Sequence, residues 1–187
     1  SDLFTGCGGG IAGFMDEGFQ PALTVDRGQA QRRALRKRYD LRPLSEWRQV
    51  KARHLRGSFA VISGSPCPAF SKAGRRDGWY DPRSKYYPIQ CDSAVKCRTP
   101  ILIMENVEEV LTEMPGYYDG TNEGRTISPY EALKENLEKH DYRVSYKNLD
   151  AGQLGGYTRR DRVIVQAMTR ELYEHLQEQR QGRSDEE

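Results

Sequence analysis

The stretch that decides the fold is Asp2-Leu-Phe-Thr-Gly-Cys-Gly-Gly-Gly10, which runs from a short apolar segment into a glycine cluster. Clustered glycines let backbone approach a ligand closely, and a helix that starts behind them turns free N–H groups towards it. The pattern predicts a helix over Gly10–Glu17 and a strand over Ala22–Val25. Asp26 ends that strand, 24 residues after Asp2. An acid at that place in a strand–turn–helix–strand unit is positioned to bind ribose hydroxyls. A nucleoside-type cofactor is therefore the better reading, with plain chain reversal as the alternative. The spacing departs from G-x-G-x-x-G, which disfavours a dinucleotide.

Working outward, short β-rich runs alternate with helical ones. Phe59–Ser63, Ile101–Glu105, Tyr142–Leu149 and Val163–Ala167 read as strands. Gln29–Tyr39, Pro129–His140 and Arg170–Gln179 read as helices. Ser128, Pro129 and Glu131 supply an N-cap, a proline at the first helical position and a capping-box acid. Alternation of this kind predicts an α/β fold with a mostly parallel sheet. Only a Gly-rich loop separates Tyr142–Leu149 from Val163–Ala167, so these two are expected to pair as an antiparallel edge. The region 72–85 reads as a long loop, which in a compact domain is either functional or disordered.

The chain has 187 residues, enough for one domain with its own core. Mean hydropathy is −0.83 and charged residues make up 30%, so the chain reads as soluble. No apolar run is long enough to span a membrane, and the N-terminus has no signal-peptide pattern. Cys7, Cys67, Cys91 and Cys97 form no C-x-x-C pair, and with three histidines a zinc site or disulfide scaffold is disfavoured. Scattered single cysteines suit a reducing cytoplasm. The net charge is only +2, yet 27–56 holds eleven Lys and Arg against Asp40 and Glu46. A second basic stretch covers 72–98, and 170–187 is acidic. A basic body suits a polyanionic partner; a solvated helix face is the alternative.

Three further clusters carry chemistry. Gly64-Ser-Pro-Cys67-Pro-Ala-Phe70-Ser71 follows a strand, where ligand loops of open α/β sheets lie. Its prolines stiffen the backbone around Cys67, a candidate thiolate nucleophile, against the alternative of a structural cysteine. Met104-Glu105-Asn106-Val107 ends the next apolar strand and brings a carboxylate to the same rim. Its alternative is an ordinary strand-end acid. Thr158-Arg159-Arg160-Asp161-Arg162 leads into a strand on which Arg160 and Arg162 share a face. They are candidates for binding phosphate or a carbonyl, or for guarding an edge strand.

Taken together, these clusters resemble the DNA (cytosine-5)-methyltransferase family, in order, from Asp2 to about Ala167. Asp2–Gly9 is similar to the family's D-L-F-x-G-x-G-G, and 64–74 to G-x-P-C-Q-x-F-S-x-x-G. Asp81-Pro-Arg83 looks like its D-x-R element, 105–107 is its E-N-V, and 158–162 is similar to Q-x-R-x-R. Departures are Pro68 and Thr158 where glutamine is usual, and Ser84 and Tyr86 after Arg83.

The resemblance implies a Rossmann-like S-adenosylmethionine-dependent methyltransferase fold over residues 1–180, with a disordered acidic tail at 181–187. It implies S-adenosylmethionine as cofactor, bound by Phe4, Thr5, Gly6, Cys7, Gly8, Gly9, Asp26, Arg27, Pro66 and Tyr86, and no metal. Cys67 would add to C6 of a cytosine flipped out of double-stranded DNA. Glu105 would contact its N3 and amino group, Arg162 would hold O2, and Arg160 would support the loop. Only 25 residues follow Arg162, so no target-recognition domain is expected within the chain. That leaves three readings open: a minimal DNA enzyme of restriction–modification or phage type, a half that needs a second subunit or binds without catalysing, and a tRNA cytosine enzyme. The expected location is the cytoplasm of a bacterium or phage-infected host, at the nucleoid.

Overall fold

A computed structural model describes residues 1–67, 69–70, 77–84, 86–114 and 126–184. Its named sheet has four strands: β1 (Ala60–Ser63), β2 (Ile101–Asn106), β3 (Tyr142–Asp150) and β4 (Asp161–Thr169), in the spatial order β1-β2-β4-β3. β1 and β2 are parallel, while β4 runs antiparallel to both β2 and β3. The expected antiparallel pair therefore closes the sheet. The strand running against the others is β4, one place in from the edge, and β3 is the edge itself.

The sheet continues beyond β1 through single bridges. Asp2 bridges Ile62 on one side and Thr24 on the other, and Val25 bridges Leu44, all in parallel. This corrects the expected strand at Ala22–Val25, where only Thr24 and Val25 reach a ladder. Pro21 and Pro43 lie just outside these contacts and carry no N–H to extend them. Read across, the order is Leu44, Val25, Asp2, β1, β2, β4, β3: a doubly wound arrangement whose parallel members all end at one rim.

Helices α1 (Gly9–Asp16), α2 (Gln29–Tyr39) and α5 (Pro129–Glu138) lie where the sequence predicts them. The Ser128 hydroxyl accepts the Glu131 N–H at 3.0 Å, as a cap should. A single turn, α3 (Ala52–Leu55), precedes β1. Helix α4 (Tyr86–Cys97) links β1 to β2 and was not predicted. Pro88 falls in its first turn, where proline is tolerated. Its buried Tyr87, Gln90, Cys91 and Ala94 give only a weak apolar stripe. The last helix, α6, runs Arg170–Ser184, so the expected tail is helical through Ser184. Residues 72–76 and 85 of the expected long loop, together with Pro68, Ser71 and 185–187, lie outside the described residues.

Burial alternates along β2 and β4, as a sheet with one tightly covered face requires. Val61, Leu102, Met104, Val163, Val165 and Ala167 form that face, and Leu133 and Leu137 of α5 belong to the same core. Replacing one of these leucines by alanine costs about 2–5 kcal/mol. Tyr142 reaches across the core so that its hydroxyl donates to the Thr99 carbonyl at 2.7 Å. Among the described residues, no helix is long and apolar enough to cross a membrane, and no group of three or more His, Cys, Asp or Glu is placed to hold a metal.

Candidate active site

The rim carries the site because the parallel strands end there and β4 begins there. Asn106 pairs with Val163 in the β2–β4 register, which sets Arg162 diagonally beside Glu105 on the same face of the sheet. The Arg162 Nε lies 2.7 Å from the Glu105 Oε1. The other Glu105 oxygen faces Gly64, whose added Cβ would sit 3.5 Å from it. Thus Glu105 stands between the loop leaving β1 and the arginine entering β4.

Cys67 is half-buried on that loop and free of any disulfide. The loop is tied to β2 by Asn106, a buried side chain whose Nδ2 donates to the Ser65 carbonyl and hydroxyl, both at 3.3 Å. Its Oδ1 accepts the Val107 N–H at 2.9 Å. Beyond the cysteine, the Phe70 N–H donates to the Cys67 carbonyl at 2.9 Å, and Phe70 packs edge-on against Trp79 and Tyr87. Asp81 accepts the Arg83 backbone N–H at 2.8 Å and its Nε at 2.9 Å. That arginine holds the Asp81 carboxyl below its usual range. The Asp81 carboxylate in turn favours the charged Arg83 guanidinium.

The glycine loop after Asp2 builds a second region. Gly6 and Gly8 adopt positive φ, which side-chain-bearing residues rarely do. Asp26 holds the loop in place: its Oδ2 accepts the Gly6 N–H and its Oδ1 the Gly28 N–H, each at 2.7 Å. Thr5 is buried, and its hydroxyl is committed to backbone, donating towards the Asp2 and Val25 carbonyls and accepting the Val25 N–H. The residue pins the loop to the neighbouring strand. Burial pushes the Asp2 carboxyl up to about 6, although it accepts the Phe4 N–H.

Phe4 and Tyr86 meet edge-on at 5.6 Å, and Trp47 meets Tyr86 at 6.0 Å. The three rings form an aromatic corner beside the glycine loop. Cys7 and Gly9 are exposed on that loop, and an added Cβ at Gly9 would meet nothing within 4 Å. Pro66 is half-buried next to Cys67. Arg27 is exposed and pairs with Glu46 at 3.5 Å. A ring corner, an open glycine turn and a half-buried carboxylate fit an adenosine joined to a small charged group.

The structure brings Cys67, Glu105 and Arg162 to one rim, and Phe4, Tyr86 and Asp26 to its neighbouring part. Arg160 is exposed one residue before β4, with its backbone fixed to Asp150 and Ala151 across the hairpin. Sequence reading gave no role to Glu46, Trp47 or Asn106. The tryptophan, an aromatic after the third sheet segment, was the one signal that could have been used.

A family profile described as C-5 cytosine-specific DNA methylase matches residues 1–187. The type II methyltransferase M.AplI of Arthrospira platensis is 31% identical over 169 residues, covering 89% of this chain and 44% of its own length. M.BsuFI of Bacillus subtilis is 24% identical, covering 88% of this chain and 37% of its own. M.AquIA of Picosynechococcus is 28% identical, with 87% and 68% covered. The chain thus spans less than half the length of the first two relatives. Among solved structures, Entamoeba histolytica methyltransferase EhMeth superposes with a TM-score of 0.68 at 13% identity, covering 89% of this chain and 51% of its own. A Spodoptera frugiperda DNMT2 mutant gives 0.65 at 16%, with 90% and 49% covered. These two likenesses concern the fold.

Proposed function

Because the chain belongs to the C-5 cytosine-specific DNA methylase family, we propose that it transfers a methyl group from S-adenosylmethionine to C5 of cytosine in DNA. The observation that carries this reading is the meeting of Glu105 and Arg162 at the rim that also bears the Cys67 loop.

Phe4, Trp47 and Tyr86 would hold the adenine, Asp26 the ribose, and the Gly6–Gly9 turn the amino-acid end. Arg27, through Glu46, would brace the corner's edge. S-adenosylmethionine bound there supplies an electrophilic sulfonium methyl to C5. Cys67 as thiolate adds to C6; the S–C6 bond forms as the C5–C6 π bond opens, and its electron pair makes C5 nucleophilic. Glu105 accepts from the amino group and, carrying a proton taken from solvent, donates it to N3. This neutralises the charge that gathers there, and Glu105 takes the proton back when the sulfur leaves. Arg162 holds O2 and, through its ion pair, aims Glu105. Arg160 would support the hairpin beside the base. With the methyl bonded to C5 and S-adenosylhomocysteine as its leaving group, a solvent water takes the C5 proton, the C5–C6 double bond re-forms and the Cys67 sulfur leaves as thiolate. A half-buried thiol demands that the base leave its stack, so base flipping is part of the reading.

The test is transfer of tritiated methyl from S-adenosylmethionine to duplex DNA, with RNA as a parallel substrate. Cys67→Ala is expected to abolish it, and a 5-fluorocytosine duplex to form an adduct that survives denaturing electrophoresis. Wild-type transfer by Cys67→Ala would overturn the mechanism. Transfer to RNA alone would overturn the substrate.

A further inference from the structure

We propose that α2 and the 42–56 segment form a second docking surface for the phosphates of duplex DNA, apart from the catalytic rim. The proposal rests on the DNA reading above and adds a surface to it. Helix α2 has the sequence QAQRRALRKRY, with five cations and no acid. Leu35 is its buried anchor, while Arg33, Arg36, Lys37 and Arg38 are exposed. Arg32 is set apart, because its Nη1 donates to the Asp26 carbonyl at 2.9 Å. Arg42, Arg48, Lys51, Arg53 and Arg56 are exposed in the segment that follows.

This pattern exceeds what a solvated helix face needs. Arg33 and Lys37 stand one turn apart, as do Arg32 and Arg36, and like charges at that spacing repel. The helix dipole favours cations in the last turn. It gives no reason for Arg33 or for the five cations beyond the helix. An anionic partner relieves the repulsion. The surface offers such a partner charge and no apolar anchor, since the helix's leucine points inward. A membrane-bound helix needs an exposed apolar face, and a protein interface needs buried aromatic or aliphatic anchors. Nucleic-acid interfaces are polar and cationic.

Across the sheet, the spacing lies within the reach of one duplex. Helix α2 joins Val25 to Leu44 at one end of the sheet, and Arg162 opens β4 near the other. Five strand spacings separate Leu44 from β4, about 24 Å, or about seven base pairs of duplex. Arg48 lies over the Trp47 ring at 5.8 Å, so the cations reach the edge of the aromatic corner.

The experiment measures binding of the whole chain to a 24-base-pair A·T duplex, which holds no cytosine, by fluorescence anisotropy between 50 and 200 mM salt. Arg33→Gln/Arg36→Gln/Lys37→Gln is expected to bind at least tenfold more weakly at 50 mM. Its slope of log affinity on log salt should be shallower by about 2.7, or 0.9 per lost phosphate contact. A triple of equal charge change elsewhere, Lys96→Gln/Lys139→Gln/Arg180→Gln, is expected to keep the wild-type slope. An unchanged slope in the α2 variant, or an equal loss in the control triple, would overturn the proposal, as would tighter binding to anionic vesicles than to duplex. Methyl transfer to a short cytosine-containing duplex is scored separately, so failure of the catalytic reading and failure of this surface give different results.

Discussion

Arg162 and Glu105 lie on neighbouring antiparallel strands and meet at 2.7 Å, with side chains 23% and 42% exposed. Half in water, such a pair contributes only about 1 kcal/mol to the fold. Its geometry matters more, because it fixes the direction of the carboxylate beside Gly64. Arg162→Ala is expected to lower methyl transfer by about 100-fold or more while moving the urea midpoint little. Glu105→Gln should lose about 10²–10⁴-fold. If each residue acted alone, the two losses would multiply in the double variant; the ion pair predicts a smaller combined loss. Multiplicative kinetics would count against it.

Asn106 makes a different prediction, because it is buried and its amide serves both the Cys67 loop and the Val107 N–H. Asn106→Ala strands the Ser65 carbonyl and the Val107 N–H in a dry environment. The expected cost is about 1–3 kcal/mol in denaturant unfolding, together with a fall in kcat as the loop loses its tie. Asn106→Asp keeps the acceptor for Val107 and loses the donor to Ser65. Because it also sets a second oxygen against the buried Ser65 carbonyl, it should recover neither stability nor rate relative to Asn106→Ala. Full rate in Asn106→Ala would show that the loop holds itself.

Some of this was legible in the sequence because chemistry restricts residue type more tightly than packing does. The cysteine between prolines, the acid ending an apolar strand and the paired arginines each named a role before any contact was known. The β-branched and apolar runs at 101–104 and 163–165 made β2 and β4 readable in the same way. Asn106 was not readable, since its partners at 65 come together only when β1 and β2 pair in parallel. Helix α4 escaped because it is buried without a clean stripe and carries Pro88 in its first turn. The segment at 22–25 looked like a strand from its apolar residues, but it begins behind Pro21 and only Thr24 and Val25 reach a ladder.

Asp2 sets a pH dependence. Burial pushes its carboxyl up to about 6, against the Phe4 N–H it accepts, and the nearby Asp26 charge acts in the same direction as burial. In the unfolded chain the group titrates near 3.9. Between those values the folded state keeps a proton that the unfolded state has lost, so stability falls as pH rises through about 4 to 6, by up to about 3 kcal/mol. Above that window the cost is complete. Asp2→Asn keeps an acceptor for Phe4 and removes the titration. Compared with wild type, it should gain in urea midpoint from pH 4 to pH 7.5. Parallel pH curves for the two proteins would refute the assignment.

At Gly8 the glycine loop comes into close contact with α2. Its φ is +96, and an added Cβ would stand 2.6 Å from the Tyr39 Cε2 and 3.0 Å from the Leu35 Cδ2. Gly8→Ala therefore combines two costs: about 1–2 kcal/mol for the left-handed backbone, and a collision with the Tyr39 ring. The variant is expected to unfold at lower denaturant and to bind S-adenosylmethionine more weakly, because the turn that shapes the loop is displaced. Adding Tyr39→Ala separates the causes. It opens the space the methyl needs and leaves the backbone strain in place. Measured against Tyr39→Ala alone, the Gly8→Ala substitution should then cost less, because only the backbone strain and the tight approach to Leu35 remain, and cofactor affinity should recover in part. If its cost is the same in both backgrounds, the Tyr39 ring contributes nothing, and the left-handed backbone and the Leu35 contact are what require the glycine.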